Sequence, residues 1–284
     1  LSVFSLGTMR YLASFENAKQ VISEAVALGI NHVETASGYG KSEEYLGKAI
    51  KAGLSISREE LYITSKIPPT VDADMMRRCI DNSLKNLGLD YLDCLGIHGL
   101  NTWEHLERVR DENGCMKAVR EAVDDGRVRH VGFSTHAPLE VILAAINTDF
   151  FEFVNLHYYY FFQRNLKAVE LAVQKDMGIF IISPADKGGR LYTPPERLKE
   201  LTYPFSPLEL NYRFLLSDKR VTTLSVGAAI PEELIEPLKV ADNDGELNLE
   251  EIAVFERLEK HQNTVLKTEK CSQCYECLPC PENI

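Results

Sequence analysis

No apolar run in this 284-residue chain approaches the roughly 18 residues needed to cross a bilayer, and no segment has the build of a signal peptide. Positive charge is also in short supply: 31 Lys and Arg stand against 42 Asp and Glu, for a net charge of -11. Nucleic acids and anionic membrane surfaces reward clustered Lys and Arg, so neither is an expected partner. The expectation is a soluble, cytoplasmic protein that meets small ligands or other proteins. The sequence opens on Leu1 without an initiating Met and stops shortly after Cys280, which suggests trimming at both ends.

A glycine-rich turn after the first strand is missing as well. The composition, 45% hydrophobic and 26% charged, is enough for a large core. Short β-rich apolar runs occur at 3–8, 30–36, 61–67, 91–97, 128–133, 151–156, 179–183 and 221–226. Helical spacing fills the intervals at 16–28, 42–52, 72–87, 115–125, 138–147, 165–176, 207–217 and 231–240. Such alternation predicts parallel βαβ units, and its extent matches an α/β fold of the (β/α)₈ TIM-barrel type. An open doubly wound sheet is the competitor, but it carries a phosphate-binding glycine turn after its first strand. Gly7-Thr8-Met9-Arg10 is not one. Residues 1–245 therefore form the expected barrel, and 246–284 an extension that begins with an amphipathic helix over 248–262, capped by Asn248.

Cysteine usage divides in two. Cys79, Cys94 and Cys115 are scattered and read as small buried hydrophobes. Cys271, Cys274, Cys277 and Cys280 crowd into ten residues, which points away from a secreted disulfide framework and towards a metal or cluster in a reducing compartment.

In a barrel, chemistry collects where strands end at the C-terminal face. Those ends supply Glu34 after the second strand, Lys66 after the third and His98 after the fourth, with Tyr39 on the loop behind Glu34. Each residue alone has a bland explanation in packing or solvation; their convergence on one face is what suggests a site. A phenol is a poor proton donor at neutral pH unless a neighbouring ammonium lowers its pKa. Lys66 can supply that ammonium, Glu34 its counter-ion, and His98 can orient a carbonyl or relay a proton. This combination suits carbonyl reduction.

The segments "GINHVETASGYGKSEEYLG", "LYITSK", "SLKNLGLDYLDCLGIHG" and "RHVGFSTH" resemble, in order and spacing, the aldo-keto reductases. The resemblance implies a barrel that binds NADP or NAD without a Rossmann motif and reduces a small-molecule aldehyde or ketone. Tyr39 falls on the family's general acid, Lys66 on the lysine that tunes it and His98 on the substrate-orienting histidine. Glu34 stands where the family usually has Asp, which lengthens the partner of Lys66 by one methylene. Ser134, Thr135 and Asn155 fall on the carboxamide-binding positions, Ser183 on the pyrophosphate segment, and Gly227 and Ala228 on the last phosphate site. Ile182 replaces a ring-stacking Tyr. Where NADP-preferring relatives carry basic residues for the 2′-phosphate, this chain has Glu232, Glu233 and Glu236, so NAD competes with NADP; Lys187 or Arg190 could compensate. Trp103 and Tyr192 are candidate pocket aromatics.

The spacing C-x₂-C-x₂-C-x₂-C-P is one residue shorter in its last gap than the bacterial ferredoxin motif. It resembles the C-terminal extension of an iron-sulfur subgroup of the family, which implies a [4Fe-4S] cluster on Cys271, Cys274, Cys277 and Cys280. A structural zinc site and unliganded thiols are the alternatives. A second functional reading follows from Glu34, Ile182 and this tail: a nucleotide-binding, redox-sensing or electron-transfer protein with a redox protein as partner.

Overall fold

The computed structural model describes residues 1–267. Its organising element is a closed barrel of eight parallel strands in sequence order. The chain runs β1 (Phe4–Gly7), α1 (Phe15–Ala27), β2 (His32–Glu34), α2 (Ser42–Lys51), β3 (Tyr62–Ile67), α3 (Ala73–Leu87), β4 (Leu92–Ile97), α4 (Trp103–Arg110) and α5 (Cys115–Asp124). It continues through β5 (Val128–Ser134), α6 (Leu139–Ile146), β6 (Phe153–Leu156), α7 (Leu166–Gln174), β7 (Gly178–Ile181), α8 (Glu196–Thr202) and α9 (Pro207–Leu216). The last elements are β8 (Thr223–Val226), α10 (Ile235–Ala241) and α11 (Leu249–Leu266). Pairing of β8 with β1, at Phe4 with Leu224 and Ser5 with Ser225, closes the ring.

Local chemistry sets the helix ends. The Asp72 side chain accepts from the Met75 amide at the start of α3, and Gly88 ends that helix at φ 64, a left-handed conformation that suits glycine. Ser206 and Glu209 form a reciprocal capping box around Pro207 at the head of α9. Two helices occupy segments that the sequence pattern leaves as loops. In α4 only Leu106 and Val109 are buried, and in α8 only Thr202, so neither carries the apolar stripe by which a helix is recognised. The helix expected over 231–240 is divided into a 3₁₀ turn, Pro231–Leu234, followed by α10.

Below the C-terminal strand ends, the barrel interior holds Cys94, Phe153 and Phe180 as a small apolar cluster. The two phenyl rings stack at 4.8 Å. Gly132 is needed here, because a Cβ at that position would lie 2.4 Å from the Phe153 ring. His32 packs edge-on against Phe180 at 5.3 Å and shares a 2.7 Å hydrogen bond with the Thr64 hydroxyl.

A buried ion pair anchors the last helix. Arg213 of α9 donates to Glu251 of α11 at 2.7 Å, and both side chains are 2% exposed. The same guanidinium donates to the carbonyls of Asn243, Gly245 and Glu246, so a single side chain gathers the connection that leads into α11. The helix expected over 248–262 starts as anticipated, with the Asn248 side chain accepting from the Glu251 amide. Cys271, Cys274, Cys277 and Cys280 lie outside the described residues.

Candidate active site

The C-terminal mouth of the barrel opens into a cavity of about 690 Å³, lined among others by Glu34, Tyr39, Lys66, His98, Ser134 and Gly227. Four strand ends and the loop after β2 therefore deliver polar groups to one space. Glu34 and Lys66 form its floor. The Lys66 ammonium lies 2.9 Å from Glu34 Oε2, with the side chains 5% and 2% exposed, and it donates to the Thr35 carbonyl at 3.3 Å. Asn155 donates to the same carboxylate oxygen at 2.6 Å, and the Ser5 hydroxyl donates to Oε1 at 3.1 Å. Both carboxylate oxygens are thus occupied, and the longer side chain of Glu34 still reaches Lys66. Burial by itself would push the Glu34 carboxyl up, but Lys66, His32 and the hydrogen bond from Asn155 together bring it down to about 2.

The backbone ties the acid candidate to this pair. The Ser37 amide and hydroxyl both donate to the Lys66 carbonyl, at 3.0 and 3.1 Å. The Tyr39 amide donates to Ala36 and the Ser42 amide to the Tyr39 carbonyl, both at 3.0 Å, and Gly40 adopts φ 54 to complete the turn. The half-buried Tyr39 ring meets the His98 ring edge-on at 5.5 Å. Burial, then the charge of Lys66 and the proximity of His136, lowers the His98 pKa to about 4, so the ring is neutral at physiological pH.

The expected cofactor positions divide by orientation. Ser134, Ser183, Ile182 and Gly227 line the cavity. Thr135 and Ala228 are buried and are not among its lining residues. The Thr135 hydroxyl donates to the Leu100 carbonyl at 2.8 Å and accepts from the Ala137 amide at 3.0 Å, so it braces the loop. Asn155 is committed to Glu34 through its amide nitrogen, while its buried Oδ1 has no partner among the described residues. Tyr192 lines the cavity and Trp103 does not; Trp103 is half exposed at the head of α4. Lys187 and Arg190 are also absent from the lining, and besides Lys66 the Lys or Arg that lines it is Arg10. Its guanidinium is bidentate on Glu233, at 2.6 and 3.0 Å, and also donates to the Gly227 carbonyl at 2.7 Å. Among the described residues, no group of three His, Cys, Asp or Glu side chains is arranged to hold a metal ion.

A model of the aldo/keto reductase family matches residues 4–260. The chain belongs to the aldo/keto reductase family. It is similar to the 7-acetyl-epi-neemfruitin B aldo-keto reductase of Melia azedarach, with 42% identity over 51% of this chain and 49% of that protein. It is also similar to the NADPH-dependent codeinone reductase 1-3 of Papaver somniferum, with 44% identity over 29% of this chain and 27% of that one. The chain spans about half the length, or less, of the curated relatives it matches. An aldo-keto reductase of Bacillus halodurans in its holo form has the same fold, with a TM-score of 0.78 at 21% identity over 90% of this chain and 91% of that one.

The electrostatics of the floor can be tested by charge removal. A carboxyl whose folded pKa is depressed adds stability above its unfolded value, near 4.3, and loses it as pH falls towards about 2. Glu34→Gln is expected to lower the unfolding free energy at pH 7 by about 3–5 kcal/mol, because it leaves Lys66 buried without its counter-ion. Urea unfolding between pH 2 and 8 should show the gap to wild type closing below pH 4. A gap that stays constant with pH would mean that shape, and not charge, makes Glu34 necessary.

Proposed function

We propose that this chain is an NAD(P)-dependent reductase of aldehydes or ketones in which Tyr39 is the general acid. The observation that carries the reading is the buried Glu34 and Lys66 pair at the floor of a cavity also lined by Tyr39 and His98. The chemistry of the lining fits a nicotinamide dinucleotide. Ser134 would hold its carboxamide, and Ser183 and Gly227 its phosphates. When bound in reduced form, the dinucleotide supplies hydride to the carbonyl carbon.

The residues of this chain handle the proton. His98, neutral at pH 7, offers a hydrogen bond that orients the carbonyl oxygen. As the carbon accepts hydride, the Tyr39 O–H bond breaks and its proton passes to that oxygen, giving the alcohol. The phenolate left behind is stabilised by the Lys66 ammonium until solvent returns a proton. Glu34 is the counter-ion of Lys66 in a buried position, and that pairing is why the longer carboxylate supports the site.

At the far end of the cavity, Glu233 takes both arms of Arg10 and also accepts from the Ala229 amide at 2.9 Å. The cation and amide that could greet a 2′-phosphate are therefore already paired, and a second carboxylate-phosphate encounter would be repulsive. This supports use of NADH alongside the NADPH named for the codeinone reductase. The finer assignment, to an iron-sulfur subgroup with a redox partner, rests on the spacing of Cys271, Cys274, Cys277 and Cys280. Protein prepared anaerobically with all four cysteines should be brown and contain iron and sulfide; colourless, iron-free protein would remove the cluster.

Tyr39→Phe should lower single-turnover hydride transfer about 100-fold, the ordinary contribution of a general acid, while nucleotide affinity is kept. Equal rates in variant and wild type would end the assignment of Tyr39. Nucleotide binding by wild type without turnover on any carbonyl would favour the redox-sensing reading. Glu233→Ala, which frees Arg10, should shift the ratio of NADPH to NADH affinity about tenfold towards NADPH, the scale of one charge-assisted hydrogen bond; an unchanged ratio in fluorescence titrations would place the phosphate elsewhere.

A further inference from the structure

The loop that carries Tyr39 leaves the end of β2 at Thr35 and returns to the barrel wall at Ser42, the first residue of α2. Its two ends meet: Thr35 Oγ1 and Ser42 Oγ are 2.8 Å apart. Ser42 Oγ also donates to Thr8 Oγ1 at 2.6 Å, and Thr8 Oγ1 donates to the Glu34 carbonyl at 3.0 Å. The Thr8 carbonyl and the Tyr11 hydroxyl stand farther from Ser42 Oγ, at 3.4 and 3.3 Å, and the Tyr11 hydroxyl is 3.3 Å from the Ser42 carbonyl. Thr8, Tyr11, Thr35 and Ser42 are all fully buried, and of these four Thr8 alone lines the cavity. Ser42 and Thr35 therefore do not face a ligand there, and any effect they have on the reaction passes through other residues.

Those other residues are close at hand. The Ser42 amide donates to the Tyr39 carbonyl at 3.0 Å. On the opposite side of the neck, the Thr35 amide donates to the Thr64 carbonyl of β3 at 2.8 Å, and the Thr35 carbonyl accepts from the Lys66 ammonium at 3.3 Å. The hydroxyl of Ser42 thus links the segment that holds the acid to the segment that holds the ammonium. Its own base is firm. The next residue, Glu43, is 3% exposed and accepts from the Ser65 hydroxyl at 2.7 Å and from Asn86 at 3.1 Å. Ser65 precedes Lys66 on β3, and side chains alternate across a strand, so the head of α2 is tied to the outer face of the strand that sends Lys66 inwards. One turn on, Gly47 lets α2 rest against the end of α3, since a Cβ there would lie 2.4 Å from the Leu87 carbonyl oxygen.

We propose that Ser42 is a positioning residue for the reduction: by bonding Thr35 across the neck of the loop, its hydroxyl holds the Tyr39 phenol in register with the Glu34 and Lys66 pair. The assignment rests on the reading of Tyr39 as the general acid and adds to it the residue that fixes where that acid stands. Proton transfer depends on placement at the scale of an ångström, and a shift of that size caused by a change away from the reacting atoms can cost about 100-fold in rate. A loop closed at its neck has fewer ways to make such a shift.

The test measures single-turnover hydride transfer from NADH and from NADPH to the fastest substrate of an aldehyde and ketone panel. Ser42→Ala should slow the transfer about tenfold while nucleotide affinity changes by less than about twofold. Thr35→Val, which keeps the shape of the side chain and removes its hydroxyl, should act likewise, and Thr35→Ser, which restores the hydroxyl, should return the rate to within about threefold of wild type. Adding Ser42→Ala to Tyr39→Phe should slow the reaction by less than about twofold more, because a residue that acts through the phenol has no acid left to place. In protein labelled at tyrosine and histidine, the nuclear Overhauser effect between the Tyr39 and His98 rings, which stand 5.5 Å apart, should weaken in Ser42→Ala. A further loss of about tenfold in the Tyr39→Phe background, no loss in Ser42→Ala or Thr35→Val, an equal loss in Thr35→Ser, or an unchanged ring contact would overturn the proposal. If Ser42→Ala does not fold, Thr35→Val, alone and with Tyr39→Phe, still decides it. Wild-type protein that reduces no carbonyl, or Tyr39→Phe as fast as wild type, would instead overturn the reductase reading on which it rests.

Discussion

The ion pair between Glu34 and Lys66 is the constraint on which the rest of the site depends. Removing both charges from water carries a penalty of several kcal/mol for each ion, offset only when the geometry is good and the remaining hydrogen-bonding capacity is used. Here it is used: Ser5 and Asn155 complete the carboxylate, and the Thr35 carbonyl takes a second proton of the ammonium. These partners come from β1, β6 and the end of β2, so the pair also draws together strands distant in sequence. Gly96 makes room for it, since a Cβ there would press on the Lys66 stem at 3.2 Å. The Thr8 amide and hydroxyl both bind the Glu34 carbonyl, and Ser37 binds that of Lys66. The loop bearing Tyr39 is therefore hung from the two residues whose charges matter to it.

Around that pair the cavity avoids further free positive charge. Burial, as the largest cause, lowers the pKa of His98, His136 and His157, with Lys66 adding to it at His98 and Lys187 at the other two. Arg10, at the other end, is clasped by Glu233. The Lys66 ammonium, paired with Glu34, lines the same cavity as Tyr39, which suits a site where negative charge develops on oxygen during reaction. Neutral imidazoles offer direction in place of charge: each can donate at one nitrogen and accept at the other, and its surroundings choose which.

Much of this was legible in the sequence, for identifiable reasons. The β3 run expected over 61–67 forms at Tyr62–Ile67, and that expected over 91–97 forms at Leu92–Ile97. Strands buried on both faces read as continuous apolar runs, and the helices between them carry a clear stripe. Because strand ends define the catalytic face of a barrel, the sequence alone places Glu34, Lys66 and His98 together. The helices α4 and α8 are not legible in the sequence because they bury one or two residues each. Thr135 and Ala228 sit at motif positions, yet a motif does not say which way a side chain faces, and both turn away from the cavity.

The sequence by itself determined the alternation of strands and helices, the acidic surface and the residues at the strand ends, since these depend on local pattern and composition. Tertiary structure alone decided the pairings. Arg10 meets Glu233 across 223 residues, Asn155 meets Glu34 across 121, and His136 meets His157 across 21. Each pairing exists because the assembly of the barrel brings those segments together, side by side on neighbouring strands or across the ring, and no local propensity encodes the distance between them. The charge states of Glu34 and His98 follow from that folding, because burial and neighbours, not residue type alone, set whether a carboxylate stays ionised or a histidine is charged.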